Sequence, residues 1–252
     1  MRTSPPASIG APLPTLLVPG LGATARLYAP QVPLLWQHGA VMLADHRRDD
    51  SMAAIAGRIL EQAPPRFGLV GLSMGGYIAF ELWRQAPGRI VRLALLDTSA
   101  RADTTEQTAR RREQIALAGA GRYGELAALS YPMLVHPDRL ADAALREQVR
   151  CMAEETGAEA FMRQQTAIIH RPDSRPDLAS ITCPTLVLVG DADQLTPPER
   201  AQEIAGGIRG ARLVIVPASG HLSTLEQPQR VNSALLEWLG AAAPGAGRTA
   251  CP

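Results

Sequence analysis

The chain has 252 residues, 46% of them apolar, with 25 basic and 24 acidic side chains and a formal net charge of +1. That is enough chain for one large α/β domain with a sizeable core, and the charge balance gives no electrostatic case for a nucleic-acid or membrane-surface partner. No run of about 18 apolar residues occurs, and the first 14 residues, with prolines at 5, 6, 12 and 14, hold no apolar stretch of signal-peptide length, so a cytoplasmic protein is expected.

In chain order, strand-like runs fall near 15–19, 40–45, 67–72 and 91–97, with helical stretches near 51–63 and 75–86. Such alternation predicts a mostly parallel central sheet flanked by helices on both faces. Residues 101–180 carry no convincing strand. They are rich in Ala, Arg, Glu, Gln and Leu, with breakers at Gly119-Ala120-Gly121, Pro132, Pro137, Gly157 and Pro172, which predicts three to four short helices. Strands then resume near 185–190 and 212–217, with helices near 198–206 and 225–239. The expected organisation is a core of 15–100 and 181–240, a helical insertion over 101–180, and flexible termini at 1–14 and 241–252. An insertion at that point would stand over the carboxyl edge of the sheet as a cap; a peripheral appendage is the other reading.

The stretch Phe67-Gly68-Leu69-Val70-Gly71-Leu72-Ser73-Met74-Gly75-Gly76 ends an apolar run in Gly-x-Ser-x-Gly, and no breaker follows until Pro87. A strand, a sharp turn centred on a serine, and a helix expose the hydroxyl above the strand end, with the free N–H groups of the helix start beside it. The alternative is an ordinary glycine-rich loop.

A serine nucleophile needs a base, and the base needs an orienting carboxylate. Of His38, His46, His136, His170 and His221, only His221 stands in a loop directly after a strongly strand-like run, Arg212 to Pro217. The run Pro184 to Gly190 ends in Asp191-Ala192-Asp193. Asp193, further out, is the expected partner of His221, and Asp191 the turn residue. Asp97, after the run Arg92 to Leu96, is a third candidate, preferred as an Asx-type turn with Thr98 and Ser99. The order Ser73, Asp193, His221 is the one an α/β-hydrolase arrangement requires.

These stretches, with Leu16-Leu17-Val18-Pro19-Gly20-Leu21-Gly22, Leu95 to Ala100, Thr196-Pro197 and Gly220-His221-Leu222 with Glu226-Gln227-Pro228, resemble the α/β-hydrolase fold superfamily, in particular small carboxylesterases and 3-oxoadipate enol-lactonases. The resemblance runs from about 14 to about 240 and is loose between 101 and 180. It implies that the acid pattern Gly-x-x-Asp-x-x-x-Pro is filled by Gly190, Asp193 and Pro197. It also implies that the N–H groups of Leu21 and Met74 form the oxyanion hole, although the family's His-Gly step is Pro19-Gly20 here.

The reading that follows is a serine hydrolase acting on a small-molecule ester or lactone through an acyl-enzyme, as a monomer or homodimer, with no metal and no organic cofactor. C–C bond hydrolysis, cofactor-free perhydrolase chemistry and a non-catalytic capped-cavity receptor remain alternatives. Cys151, Cys183 and Cys251 have no metal-like spacing and are read as free thiols. Met133, Leu134, Met162, Ile168 and Ile169 are candidates to line an apolar pocket, with plain core the commoner role. His170 and Arg171 are read as a solvated loop, and Arg110-Arg111-Arg112 as a solvated helix face. Asp45-His46-Arg47-Arg48-Asp49-Asp50 is read as an ion-pair and turn network rather than a carboxylate site.

Overall fold

A computed structural model describes residues 12–241; most of the two expected flexible termini, and Cys251, lie outside them. The elements in chain order are β1 (Thr15–Val18), α1 (Val32–Trp36), β2 (Val41–Leu43), α2 (Met52–Gln62), β3 (Phe67–Leu72), α3 (Met74–Gln85) and β4 (Ile90–Leu96). Four helices follow, α4 (Thr105–Leu117), α5 (Tyr123–Leu134), α6 (Ala143–Thr156) and α7 (Ala158–Ile169). The chain returns through β5 (Thr185–Gly190), α8 (Pro198–Gly207), β6 (Arg212–Val216), α9 (Ser223–Glu226) and α10 (Pro228–Gly240).

The six strands form one parallel sheet in the order β2-β1-β3-β4-β5-β6. Alternate residues of the same strand enter different cores, as the two-residue period of a strand requires. Leu16, Leu69, Leu93, Leu95, Val187 and Val189 pack with Ile55 and Ile59 of α2, Ile78 and Leu82 of α3 and Ile204 of α8. Their neighbours Leu17, Val70, Leu72, Leu96, Leu186 and Leu188 pack with Leu35 of α1 and Val231, Leu235 and Trp238 of α10. Both faces are covered, which is why these strands read as continuous apolar runs.

The strand order reverses between β1 and β3. The chain leaves β1 toward β2 on one side, returns across β1 to β3, and then moves steadily the other way. Loops leaving the carboxyl ends of β1 and β3 therefore diverge and open a crevice, the place where open α/β sheets bind ligands. Gly20-Leu21-Gly22 follows β1 and Ser73 follows β3.

Two expectations are corrected in detail. The helix expected over 225–239 is two, because Pro228 has no N–H to continue α9 and Gln227 leaves helical geometry at φ −132°. Pro132 does not end α5; it sits in the last turn, two residues before the helix stops. The glycine-rich breaker appears as a π-helical turn over Ala118–Arg122, with Gly121 at φ 80°.

Candidate active site

Ser73 sits at φ 56°, ψ −116° between β3 and α3, a backbone conformation that costs a non-glycine residue on the order of 1–3 kcal/mol. The surroundings enforce it. A Cβ on Gly71 would lie 2.3 Å from the Gly75 carbonyl oxygen, and one on Gly75 would lie 2.0 Å from that of Val18. The turn is also tied to its neighbours: the Ser73 N–H donates to Leu96 O (3.0 Å) and the Thr98 hydroxyl to Ser73 O (2.8 Å).

His221 is 3% exposed. Its Nδ1 lies 2.8 Å from Asp193 Oδ2. Asp193 is fully occupied as an acceptor: Oδ1 takes the N–H groups of Leu195 (2.9 Å) and Thr196 (3.0 Å), and Oδ2 takes the Thr196 hydroxyl (2.8 Å) as well as His221. Burial works to raise the Asp193 pKa, but the imidazole and these hydrogen bonds outweigh it and hold the carboxyl below its ordinary value. Burial works to lower that of His221, and the carboxylates of Asp193, Asp97 and Glu226 outweigh it, so the imidazole stands above its ordinary value. With Nδ1 committed to Asp193, Nε2 is the nitrogen left to meet a substrate or a serine.

Ser73, His221, Thr196 and Leu21 line one cavity of about 530 Å³. Leu21 lies in the loop after β1, which is braced from two sides. His46, 2% exposed, lies with Nε2 2.9 Å from Gly20 O; burial lowers its pKa, and a carbonyl partner requires the neutral ring to donate from that nitrogen. The Gly22 N–H donates to Oε1 of the fully buried Gln164 on α7 (3.0 Å). Met74 opens α3, where first-turn N–H groups have no intrahelical acceptor.

Several side chains depart from their sequence reading. Asp97 makes no Asx turn with Thr98 or Ser99. Fully buried at φ 44°, it accepts from the Gly190 N–H (3.0 Å) and from the Ser223 hydroxyl, and burial first, then the Asp193 charge, push its pKa up to about 8. Asp191 caps across to the next loop, accepting from Ser219 N–H (3.2 Å). Arg171 is not in a solvated loop: it is 8% exposed, pairs with Asp103 (2.7 Å) and lies over the Tyr77 ring at 4.2 Å. The Arg110-Arg111-Arg112 face is only partly solvated, since Arg111 pairs with buried Asp103 (2.6 Å) and both Arg110 and Arg111 line the cavity. Met133, Leu134 and Ile168 line the cavity, whereas Met162 and Ile169 are not among its walls. The 45–50 cluster does form ion pairs, Asp45 with Arg47 and Arg48 and Asp49 with Arg58, but His46 turns away from them to brace Gly20.

Three supports escaped the sequence reading. Thr196 stood in the quoted acid stretch, and its position three residues after Asp193 was the available signal. Gln164 sits in the loosely matching segment with no motif around it. Glu226, 4% exposed, accepts the N–H groups of Gly220 (2.9 Å), Leu222 (3.3 Å) and His136 (2.7 Å). Among the described residues no group of histidine, cysteine and carboxylate side chains is placed to hold a metal ion, and no helix is long and apolar enough to cross a membrane.

Comparison with known proteins agrees with this fold. A thermophilic esterase from Thermogutta terrifontis, solved with malate bound, is 32% identical with TM-score 0.85, over 90% of this chain and 89% of the other. The enol-lactonase of Burkholderia xenovorans LB400 is 26% identical with TM-score 0.84, over 92% and 93%. A Variovorax paradoxus protein bearing a provisional carbamate hydrolase name is 29% identical over 91% and 93%. The sequence model of the alpha/beta hydrolase family matches residues 11–234, and with that span the chain belongs to the alpha/beta hydrolase family.

Proposed function

We propose that the chain is a serine hydrolase that cleaves a small carboxylic ester or lactone through Ser73, His221 and Asp193. The observation that carries this reading is the buried 2.8 Å contact of His221 with Asp193, opening onto the same cavity as a serine held at φ 56°. A fold alone does not demand a strained serine and a buried imidazole–carboxylate pair at one crevice. The esterase and enol-lactonase relatives act in the same direction.

In this mechanism His221 Nε2 takes the Ser73 proton as Oγ attacks the carbonyl carbon. Asp193 holds the useful tautomer and stabilises the imidazolium, and the Leu21 and Met74 N–H groups receive the oxyanion. The alcohol leaves with the proton from His221. Water, activated by the same imidazole, then releases the acid. Helices α4–α7 act as a cap, since Gln107, Leu126, Val149 and Phe161, one from each, line the cavity with Ser73.

The test is Ser73→Ala against wild type with 4-nitrophenyl acetate and a serine-directed phosphonate. Wild type is expected to turn over and to carry the label on Ser73, and the variant to lose at least about 10³-fold in kcat with an unchanged thermal melt. Wild-type turnover in Ser73→Ala, or a label elsewhere, sinks the reading. A folded wild type that neither turns over nor labels leaves a ligand receptor as the better account.

A further inference from the structure

The cavity lining is of two unlike kinds. One is apolar, from Leu126, Met133 and Leu134 of α5, Val149 and Met152 of α6, and Phe161 of α7. The other is five arginines, Arg101, Arg110, Arg111, Arg171 and Arg200, and among the described residues no Asp or Glu lines the cavity at all. They come from separate parts of the chain: the loop after β4, α4, the end of α7 and the first turn of α8. No single charged segment accounts for their meeting.

Three of the five are neutralised from behind, by only two carboxylates. Arg111 and Arg171 share Asp103, at 2.6 and 2.7 Å, its side chain 1% exposed. Arg101 pairs with Glu203 (2.9 Å). Arg111 is further fixed by Gln165 Oε1 (2.7 Å) and Arg171 by the carbonyl of Arg101 (3.0 Å). Arg110 and Arg200 are different: neither guanidinium has a hydrogen-bond or ion-pair partner among the described residues. Arg200 also stands in the first turn of α8, where the helix dipole adds positive potential. Glu199 beside it is exposed and is not part of the cavity wall, and Glu203, three residues on, feels the Arg200 charge but makes its close contact with Arg101. Guanidiniums gathered around one cavity repel each other unless an anion joins them, and two are left with their donors free for a planar oxyanion.

We propose that Arg110 and Arg200 form an anion-binding subsite that selects esters carrying a carboxylate a few methylenes from the scissile bond, the methylenes packing against the apolar side chains of the lining. This assignment rests on the serine-hydrolase reading for the chemistry at Ser73. The two arginines are specificity residues and touch no reacting atom, so they act on KM for charged substrates and leave neutral ones alone.

The experiment compares charged and neutral substrates of matched shape in wild type, Arg110→Met, Arg200→Met and the double variant. For an anion in the acyl half the pair is 4-nitrophenyl hemiglutarate and 4-nitrophenyl pentanoate. For an anion in the alcohol half it is 4-acetoxybenzoate and 4-methylphenyl acetate. Wild type is expected to prefer the charged member of at least one pair by about tenfold or more in kcat/KM, the worth of one good charge-assisted contact. The double variant should fall below about twofold through a raised KM, with neutral turnover intact, and added salt should erode the wild-type preference. No preference in either pair, or a preference that survives the double variant, overturns the proposal while leaving the hydrolase reading standing. If neither pair is hydrolysed, the hydrolase reading is judged separately by the label on Ser73, and thermal melts decide the subsite: glutarate should stabilise wild type more than 1,5-pentanediol does, and the double variant should lose the difference. Equal melts with the two compounds also overturn it.

Discussion

The carboxyl of Asp97 lies fully buried between the Gly190 amide and the Ser223 hydroxyl, beside the Asp193–His221 pair. Burial and the Asp193 charge raise its pKa from 3.8 to about 8. The unfolded chain gives up this proton near the lower value and the folded chain near the higher one, so the folded state binds more protons in between and this group costs stability as pH rises across that window. Asp97→Asn removes that penalty. Its amide keeps an acceptor for Gly190 and gains a donor for Ser223, and asparagine tolerates φ 44°. The expected outcome is a melting temperature that gains on wild type from pH 5 to about 8 and then levels off, read by thermal melts, with turnover retained; a constant difference over that range would mean that Asp97 is already ionised. No sequence pattern shows this. The residues around Asp97 are those of a tight turn, and its partners are 93 and 126 positions away.

At the scale of the element, the turn between β3 and α3 was the most legible part of the chain, because its requirements are local. Gly71 and Gly75 leave room for backbone that passes within about van der Waals contact of them, and Ser73 follows the last residue of β3 directly. Gly76 adds a constraint of another kind: a Cβ there would lie 2.3 Å from Thr98 Oγ1, the hydroxyl that donates to Ser73 O. Gly76→Ala is therefore expected to lower stability by about 1–3 kcal/mol, the usual cost of overpacking, or about 2–4 °C in melting temperature per kcal/mol. Turnover should fall more than substrate binding, measured as kcat against KM. An unchanged melt and unchanged kcat would show that Thr98 yields freely. The helix expected over 225–239 was less legible, since a proline at a first helical turn and one that breaks a helix look alike until Gln227 is seen outside helical geometry.

Across the whole molecule, the helical segment and the sheet loops meet at Glu226. Its carboxylate holds the N–H groups of Gly220 and Leu222, which flank His221, and that of His136, where the chain leaves α5. The His221 N–H in turn donates to Leu134 O (3.0 Å). Glu226→Gln puts an amide donor among backbone donors. It is expected to cost about 1–3 kcal/mol, visible in thermal melts, and to lower kcat by loosening the loop that carries His221; a variant with wild-type melt and kcat would show that the junction is held elsewhere. The sequence by itself determined the parallel α/β core, the helical segment between its halves and the serine turn, because hydrophobic period, glycine spacing and strand-loop order are local properties. It also brought forward Asp193 and His221 as a candidate pair, from their places after strands. Only the tertiary structure decided that Arg110, Arg171 and Arg200 face one cavity with Ser73, that Asp97 is buried, and that Gln164 and His46 brace the Gly20–Gly22 loop. Those placements depend on which elements pack together across more than a hundred residues, and no local pattern carries that information.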